Sequence, residues 1–557
     1  MQPSEHADNL LRWCATLFRT FADFGITKAY ISPGSRSTPL VYAVSECDQI
    51  EKHVILDERS AAFQALGSAK ATGKPSVLIC TSGTAVANYF PAVIEARQSG
   101  TPLIICSADR PPSERNTGAN QTIDQQNLFG NYPVFFRDAG EPGHDEAEYN
   151  RIGHLAGQAV KHSIKQSGPV HLNFPFSKPL EPSIGAVNAL KSYYADSGQQ
   201  TGWQQDNAKT KPPEWIADAV NSAQNPVIIC GAIGTGDPLS ASVKELSESK
   251  NIPLWLESTT LHLCGEKSFT AAGHWVDKLG IMPDLILRFG KLPAGRGLLS
   301  FLESAKSYPQ IYFRANDLPS EIPGSNQQTF TSERQIDWGD LPVQKSDQLR
   351  KACRKAWENY RKQWEDKLNN HNVFTDLHAI DTVIRSNHGT LMLSNSLIVR
   401  DADRVPLEGF PGKVISNRGA SGIDGITSTA IGGALAGDQV TLVTGDLAFL
   451  HDLTALLSAE NKSIDLHIVV INNGGGQIFK MLPFTSYDEK FRQYFETPQS
   501  VDIQRISRSF NLMCTRVSDI TELQDTLLNQ EERSGVRITE CQTDGEAAIQ
   551  LRKSFSS

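Results

Sequence analysis

Residues 440–446 read VTLVTGD and residues 466–476 read LHIVVINNGGG. Each stretch begins as a short apolar run and ends in polar residues and glycine, which is typical of a buried parallel strand that opens into a loop. A helix-like stretch, 451–460, separates the two. Because ligands bind at the carboxyl ends of parallel strands, Asp446 and Asn473 are predicted to share one edge of a sheet. Their oxygens and the glycine backbone suit Mg²⁺ and phosphate, although two ordinary turns are the alternative.

The same alternation of apolar runs and amphipathic stretches extends along most of the chain, and it predicts the α/β class. Further strand-like runs are 52–56, 76–80, 102–106, 170–174, 226–230 and 285–289, and helix-like stretches are 59–72 and 84–98. Polar segments interrupt this pattern twice, and a charged helix begins near Ser346. We therefore predict three doubly wound parallel-sheet domains at 1–182, 210–335 and 350–557, with a linker at 183–209.

Length and composition exclude several classes of protein. A chain of 557 residues is too long for one hydrophobic core. The net charge of −9, from 53 basic and 62 acidic residues, disfavours a general binder of nucleic acid or anionic membrane. No apolar run is long enough to span a bilayer, and the N-terminus lacks a signal-peptide pattern. The nine cysteines contain no CxxC pair, so we expect reduced core thiols in a cytoplasmic protein without a zinc site.

The spacing of the first motif resembles that of the thiamine-diphosphate enzymes, in which GD precedes NN by a similar interval. Here 26 residues lie between Asp446 and Asn473, and Leu447 replaces the usual second glycine. The resemblance implies thiamine diphosphate as cofactor, with Mg²⁺ (or Mn²⁺) held by Asp446, Asn473 and the main-chain carbonyl of Gly475. Other cofactor-binding residues that it implies are Ser82, Gly83, Ile423, Gly445, Leu447, Gln477 and Ile478.

The resemblance also requires a carboxylate at N1′ of the cofactor's aminopyrimidine. Residues 56–59 read LDER at a predicted junction of strand and helix, which is where the family places this glutamate. Glu58 is therefore the implied catalytic residue, and its neighbour Asp57 is expected to be structural. Without the resemblance, Glu58 is equally well interpreted as an acidic residue that stabilises the N-terminus of a helix.

Five segments resemble one branch of the family, whose members join 2-oxoglutarate to isochorismate in menaquinone biosynthesis. They are 31–40 (ISPGSRSTPL), 107–112 (SADRPP), 118–121 (GANQ), 416–425 (SNRGASGIDG) and 472–482 (NNGGGQIFKML). The implied reaction is decarboxylation of 2-oxoglutarate and 1,4-addition of the succinyl-semialdehyde carbanion to isochorismate. A homodimer or a dimer of dimers is implied as well, because in this superfamily the two cofactor-binding domains meet across a subunit boundary.

Both implied substrates are dicarboxylates, so an acidic chain needs a local cluster of cations, and arginine suits this role. By resemblance, Ser396, Arg400 and Arg418 hold the succinyl carboxylate, and Asn120 and Gln121 lie near the intermediate. Arg36 and Arg110 are assigned to isochorismate, and Ser35 is expected to be a polar substrate-binding neighbour. Phe479 and Leu482, with Ile478, are expected to form an apolar lining that excludes water. The alternatives are solvated surface charges for the arginines and an apolar helix face for the hydrophobic residues.

Two positions leave the assignment open. The family often has Gly-Lys-Arg in a loop of the central domain, whereas this chain has Gly295, Arg296 and Gly297. Arg296 replaces the lysine, and either one cation is lost or Lys291 compensates. Ile423 is expected to wedge the cofactor into a bent shape, although a core isoleucine is the alternative.

Three rival functions remain from the sequence. The nearest is another thiamine-diphosphate decarboxylase or carboligase acting on a 2-oxoacid. A non-catalytic relative is disfavoured because Glu58, Asp446 and Asn473 are all present. A dinucleotide oxidoreductase is disfavoured because no GxGxxG follows a strand.

Overall fold

The computed structural model describes residues 3–195, 208–316, 320–343, 347–459, 464–484, 487–528 and 535–555. These residues form three six-stranded sheets, and neighbouring strands are parallel in all three. Helices or 3-10 turns connect most of the successive strands, as is usual for parallel pairing. The predicted class, three doubly wound parallel α/β sheets, is therefore confirmed.

The first sheet lies within 28–175. Its strands are β1 (Lys28–Ile31), β2 (Glu51–Val54), β3 (Ser76–Cys80), β4 (Leu103–Asp109), β5 (Phe135–Asp138) and β6 (Pro169–Pro175). Their order is β2-β1-β3-β4-β6-β5. The α-helices are Pro3–Asp23, Thr38–Ser45, Glu58–Thr72, Thr84–Ala87, Phe90–Ser99, Glu146–Lys165 and Ile184–Ala195, with 3-10 turns Ser35–Ser37 and Pro112–Glu114. The predicted helix 84–98 is divided, because a second helix begins at Phe90 with Pro91, which has no N–H to donate, in its first turn.

The second sheet lies within 226–331. Its strands are β7 (Pro226–Cys230), β8 (Leu254–Leu256), β9 (Ser268–Phe269), β10 (Leu285–Phe289), β11 (Gln310–Arg314) and β12 (Gln327–Thr331). Their order is β12-β11-β10-β7-β8-β9. The α-helices are Glu214–Ser222, Pro238–Lys250 and Arg296–Ser304, with 3-10 turns Ser258–Leu263, Ala272–His274 and Val276–Lys278.

The third sheet lies within 390–542. Its strands are β13 (Thr390–Leu393), β14 (Lys413–Ser416), β15 (Val440–Gly445), β16 (Asp465–Asn472), β17 (Met513–Val517) and β18 (Gly535–Gln542), in the order β14-β13-β15-β16-β18-β17. The α-helices are Gln348–Asn369, Asp376–Ser386, Leu397–Ala402, Ile426–Leu435, Asp446–His451, Glu489–Phe491, Ile503–Ser509, Ile520–Leu528 and Gly545–Ser554. Leu453–Ser458 and Gln477–Met481 are 3-10 turns, and Arg492–Glu496 is a π-helical turn.

The chain divides into two compact units, Met1–Gln205 with Ile431–Ala436, and Asp206–Ala430 with Gly437–Ser557. In the second unit, one hydrophobic core runs through both the second and the third sheet. The indole Nε1 of Trp255 donates to Cys353 Sγ at 3.3 Å, and Ser258 N donates to Asp403 Oδ1 at 3.0 Å. The segments predicted as a central and a last domain are thus packed on a common core.

Two predicted segments differ in the structure. The segment predicted as a linker, 183–209, begins with the helix Ile184–Ala195, whose Leu190 and Tyr194 are buried in the core of the first unit; residues 196–207 lie outside the described residues. The helix predicted at 451–460 begins earlier, at Asp446. It ends at His451, directly before Asp452, whose buried carboxylate accepts two hydrogen bonds from Ser428, and a 3-10 turn follows.

None of the described helices is both long and apolar enough to cross a membrane. All nine cysteines are free thiols, and eight of them are buried. Burial raises the pKa of these thiols, as for Cys47, whose pKa rises to about 11. The nine thiols are thus unpaired in this structure, and most of them pack in the protein interior.

Candidate cofactor and substrate site

Glu58 is the first residue of the helix Glu58–Thr72, in the loop region that follows β2. Its side chain is half-buried, and its Oε2 accepts a hydrogen bond from Asn88 Nδ2 at 3.3 Å. The preceding residue, Asp57, is the N-cap and accepts from the main-chain N–H groups of residues 59 and 60. The structural role expected of Asp57 is confirmed, and the helix does not use the Glu58 carboxylate as its cap.

Ser82 and Gly83 follow β3, and side chains from the loop after β4 fix them in place. Gln121 Nε2 donates to Ser82 O at 2.9 Å, and Ser82 Oγ donates to Gln121 O at 3.1 Å. The Gly83 N–H donates to Gln125 Oε1 at 2.8 Å. At φ +88°, a Cβ on Gly83 would lie 2.8 Å from Gln121 Cγ, so this position favours glycine. Two predicted cofactor residues thus contact a predicted substrate residue, and Asn120 lies exposed beside them.

Arg36 and Arg110 converge on the carboxylate of Glu114. Arg110 Nη1 lies 3.2 Å and Arg36 Nη2 lies 3.8 Å from Glu114 Oε2. Burial, followed by the nearby charge of Arg110, lowers the pKa of Arg36, whose Nη1 also donates to Phe176 O at 2.6 Å. Ser35 lies exposed next to Arg36. Arg36 and Arg110, the two arginines predicted to face isochorismate, therefore both contact the partly exposed carboxylate of Glu114.

Asp446 is the first residue after β15 and begins a short helix. Its side chain is buried, and this burial raises the pKa of Asp446 to about 6, although hydrogen bonds from Leu447 N and Gly475 N oppose the rise. The distance from Leu447 N to Asp446 Oδ1 is 2.8 Å. β15 pairs with β16 as far as Gly445, which brings the two halves of the predicted motif to one edge of the sheet. A bound cation would favour the ionised form of this carboxylate.

Asn473 and Gly475 lie at the same edge, in the loop after β16. Asn473 Nδ2 donates to Asp376 Oδ2 at 2.9 Å, whereas Asn473 Oδ1 is buried and has no hydrogen-bond partner among the described residues. Gly475 has φ +115°, and a Cβ there would lie 2.3 Å from Glu496 O. One carboxylate, one unused amide oxygen and nearby main-chain carbonyls suit a divalent cation, so these residues fit the predicted metal. Within the described ranges, no three His, Cys, Asp or Glu side chains form such a site.

Four predicted residues follow the glycines: Gln477, Ile478, Phe479 and Leu482. Gln477 Nε2 donates to Asn473 O at 3.1 Å and to Glu496 Oε1 at 2.8 Å, and these hydrogen bonds stabilise the loop after β16. Ile478 and Phe479 are half-buried, and Leu482 is exposed. These apolar side chains are therefore accessible at the same edge of the sheet.

Ser396, Arg400 and Arg418 come together at the carboxyl ends of β13 and β14. Arg400 Nη1 donates to Ser396 O at 2.5 Å, and Arg418 Nη1 donates to Asn395 Oδ1 at 2.8 Å. Asn395 is itself held by two main-chain carbonyls of the Arg418 loop. Burial and then the charge of Arg418 lower the pKa of Arg400, so the two guanidinium groups are close enough to repel. Arg418 Nε is buried and unpaired within the described part of the chain.

The central-domain loop explains the departure from the family pattern. A Cβ on Gly297 would lie 1.8 Å from Gly273 O, so a basic side chain does not fit at that position in this chain. Arg296 is exposed at the start of its helix, and Ile423 is 37% exposed. No hydrogen bond or ion pair between described residues joins Arg296 or Ile423 to the cluster around Arg418. Lys291 lies half-buried in the same loop.

Several residues near these sites are not predicted from the sequence: Glu114, Asn395, Asp376, Asp401 and Arg552. Arg552 Nη2 lies 2.6 Å from one oxygen of Asp376 and 2.6 Å from one of Asp401, and all three side chains are 1% exposed. Asp376 follows the N-cap residue Thr375 at the start of a helix, so the sequence predicts only that it stabilises the first turn of that helix. Its partners lie 97 and 176 residues away, so no local signal reveals the cluster.

Comparisons with known proteins agree with this geometry. The N-terminal TPP binding domain of thiamine pyrophosphate enzymes matches residues 13–128, and the C-terminal TPP binding domain matches residues 403–540. These ranges contain the loops around Glu58 and around Asp446. The two matches confirm that the chain is a thiamine-diphosphate enzyme.

Curated relatives cover nearly the whole chain. A 2-succinyl-5-enolpyruvyl-6-hydroxy-3-cyclohexene-1-carboxylate synthase from Haloarcula marismortui is 33% identical over 96% of this chain and 95% of its own length. Proteins of the same name from Bacillus pumilus (31% identity; 96% of this chain, 94% of the relative) and Trichodesmium erythraeum (32%; 96% and 95%) are similar. The chain therefore belongs to the 2-succinyl-5-enolpyruvyl-6-hydroxy-3-cyclohexene-1-carboxylate synthase family of thiamine-diphosphate enzymes.

Proposed function

We propose that the protein decarboxylates 2-oxoglutarate and adds the remaining four-carbon unit to isochorismate in a 1,4-addition. The product is 2-succinyl-5-enolpyruvyl-6-hydroxy-3-cyclohexene-1-carboxylate. Family membership and the two separate arginine pairs support this reaction. When bound, thiamine diphosphate supplies the electron sink for the decarboxylation, and the protein supplies placement and charge.

The arginine pairs are the observation that carries the proposal. Arg400 and Arg418 lie close together, and neither is within 4 Å of a described carboxylate oxygen, while the charges of Glu257 and Asp403 act on Arg418 from farther away. Arg36 and Arg110 form a second pair that shares Glu114, and the charge of Asp109 also acts on Arg36. A planar guanidinium binds a carboxylate through two hydrogen bonds, so each pair suits one dicarboxylate. We assign 2-oxoglutarate to the first pair, with Ser396, and isochorismate to the second, with Ser35.

We assign the cofactor to the loops described above. Asp446, Asn473 and the carbonyl of Gly475 would hold Mg²⁺ or Mn²⁺, and the glycine-rich loop would accept the diphosphate. Glu58 would pair with the aminopyrimidine, near Ser82 and Gly83. Phe479 and Leu482 would shield the reacting carbon from water.

We also propose a homodimer, or a dimer of dimers, as the working form. Thiamine-diphosphate enzymes combine the Glu58-type domain of one subunit with the diphosphate-binding domain of another. The reduced, buried thiols favour a cytoplasmic location. The molar mass in solution, from light scattering, tests the assembly.

A substrate assay tests the reaction. Purified protein with thiamine diphosphate and Mg²⁺ should consume isochorismate and release CO₂ only when 2-oxoglutarate is present. Pyruvate in place of 2-oxoglutarate should support neither signal, and 2-oxoglutarate alone should release CO₂ slowly. Product formation from pyruvate, or no turnover with the proposed pair, would refute the assignment.

Glu114→Gln should lower the KM for isochorismate by about two- to fivefold, because the carboxylate that competes for Arg36 and Arg110 is removed. The KM for 2-oxoglutarate should not change. Steady-state kinetics with each substrate varied in turn check both values. Glu146→Gln is the matched control, since it removes the same charge from an exposed first turn elsewhere in the unit. An equal or higher KM for isochorismate in Glu114→Gln would contradict the competition.

A further inference from the structure

The Asn473 side chain is held by a buried charged cluster that the proposed reaction does not itself require. Asn473 Nδ2 donates to Asp376 Oδ2 at 2.9 Å. The same carboxylate accepts from Arg552 Nη2 at 2.6 Å and, through Oδ1, from Thr543 Oγ1 at 2.6 Å. The side chains of Asp376 and Arg552 are each 1% exposed. Three donors thus meet at one fully buried carboxylate.

An asparagine amide can be turned by half a rotation, which exchanges its donor and its acceptor. An ionised carboxylate only accepts hydrogen bonds, so Asp376 selects the orientation in which Nδ2 of Asn473 faces it. The opposite end of the amide, Oδ1, is then directed away from Asp376. This oxygen is buried and has no hydrogen-bond partner among the described residues. A buried acceptor without a donor is costly, and a cation would satisfy it.

Main-chain hydrogen bonds also join the segments around this cluster. Thr543 N donates to Asn472 O at 3.1 Å, and Asp544 N donates to Phe374 O at 3.1 Å. The loop after β16, the start of the last helix and the segment before Asp376 are therefore tied together. Such a scaffold leaves little freedom for the Asp376 carboxylate to follow a rotated amide.

Arg552 extends the cluster to a second carboxylate. Its Nε and Nη2 contact the two oxygens of Asp401 at 2.9 and 2.6 Å. Asp401 lies on the helix Leu397–Ala402, next to Arg400, and has no hydrogen bond with Asn473. Asp376 and Asp401 are thus equally buried partners of one arginine, but only Asp376 contacts the predicted metal ligand.

We infer that Asp376 is a positioning residue that fixes the Asn473 amide with its oxygen toward the divalent cation. This inference rests on the cation site of the proposed function, but it does not depend on the identity of the substrates. Partners of this kind orient metal ligands, and their loss commonly weakens metal affinity by about 10- to 100-fold.

Mn²⁺ binding to the full-length protein, in saturating thiamine diphosphate, provides the test. Free Mn²⁺ is measured by electron paramagnetic resonance, so the readout is independent of turnover. Asp376→Asn should weaken Mn²⁺ affinity by about 10- to 100-fold. Asp401→Asn is the matched control, because it removes the same charge from the same arginine and should change affinity by less than about threefold. Unchanged affinity in Asp376→Asn, or equal losses in both variants, would overturn the inference.

A double-mutant cycle separates positioning from a general loss of stability. If Asp376 acts through Asn473, then Asp376→Asn should cause no further loss of Mn²⁺ affinity in the Asn473→Ala background. Additive losses would contradict the inference. Should Asp376→Asn not fold, Thr543→Val removes one hydrogen bond from the same carboxylate and keeps every buried charge. That variant should weaken Mn²⁺ binding by about two- to fivefold, and an unchanged affinity would refute the role.

Failure of the reaction and failure of the inference give different results. Wild-type protein that binds Mn²⁺ with thiamine diphosphate but makes no product would refute the proposed substrates only. The comparison of Asp376→Asn with Asp401→Asn would still be decisive. Wild-type protein that takes up no Mn²⁺ under these conditions would overturn the inference itself.

Discussion

Glu58→Gln should reduce turnover by at least about 100-fold while the protein keeps its fold and its affinity for thiamine diphosphate. Glutamine has the shape of glutamate and retains an oxygen for the hydrogen bond from Asn88 Nδ2. It does not carry the negative charge that the aminopyrimidine requires at its N1′ atom. Steady-state turnover with 2-oxoglutarate and isochorismate gives the loss, and calorimetric titration gives the cofactor affinity.

The neighbouring carboxylate supplies a stringent control for this prediction. Asp57 caps the helix that Glu58 begins, and asparagine is nearly as good an N-cap as aspartate. Asp57→Asn should therefore leave both Tm and turnover near the wild-type values. Normal turnover in Glu58→Gln, or an equal loss in both variants, would show that the catalytic carboxylate has been misassigned.

Arg418→Ala should raise the KM for 2-oxoglutarate by about 10- to 100-fold, because hydrogen bonds to a charged group are worth more than neutral ones. The Arg418 fork is held by Asn395, and its Nε has no partner among the described residues, so it is already oriented for an anion. Substrate-dependent initial rates give this KM. Affinity for thiamine diphosphate, measured without substrate, should change far less.

Two further variants define what Arg418 contributes. Arg418→Lys keeps the charge but not the planar fork, so it should recover only part of the lost affinity for 2-oxoglutarate. Arg361→Ala removes a half-buried arginine whose partners are the surface residues Glu365 and Glu408, and it should leave the kinetics unchanged. A larger effect of Arg418→Ala on cofactor affinity than on 2-oxoglutarate would place this arginine elsewhere.

The sequence predicts the sheets well because their strands are short, β-branched and bounded by glycine or polar residues. Runs 76–80, 226–230 and 285–289 coincide with β3, β7 and β10. Helix boundaries are less predictable, since they depend on distant partners. The helix after β15 ends where Asp452 binds Ser428, which lies 24 residues earlier in the chain.

Some residues of the candidate site are likewise predictable from the sequence, and others are not. Asp446 and Asn473 are predictable because each directly follows a recognisable strand, and Asp57 because an acid before a helix is a common cap. Asp376, Arg552 and Glu114 are not predictable, because only the folded chain gives them their partners. Gly297 departs from the basic residue that the family often has at this position, and the close approach of Gly273 O leaves no room for a side chain there.

The core shared by the second and third sheets limits how family members can exchange segments. The helix Gln348–Asn369 belongs by sequence to the last segment, yet its Cys353 accepts a hydrogen bond from Trp255 of the second sheet, and its Trp357 lies in the same core. A chimera joined near residue 340 would pair this helix with a foreign surface, and close-packed interiors tolerate such mismatches poorly. A crossover after Asn369 would break contacts as well, because Tyr360 Oη donates to Arg404 O at 2.9 Å and Trp364 Nε1 donates to Asp381 Oδ1 at 2.8 Å. We therefore expect the second sheet, this helix and the third sheet to be exchanged only as one unit.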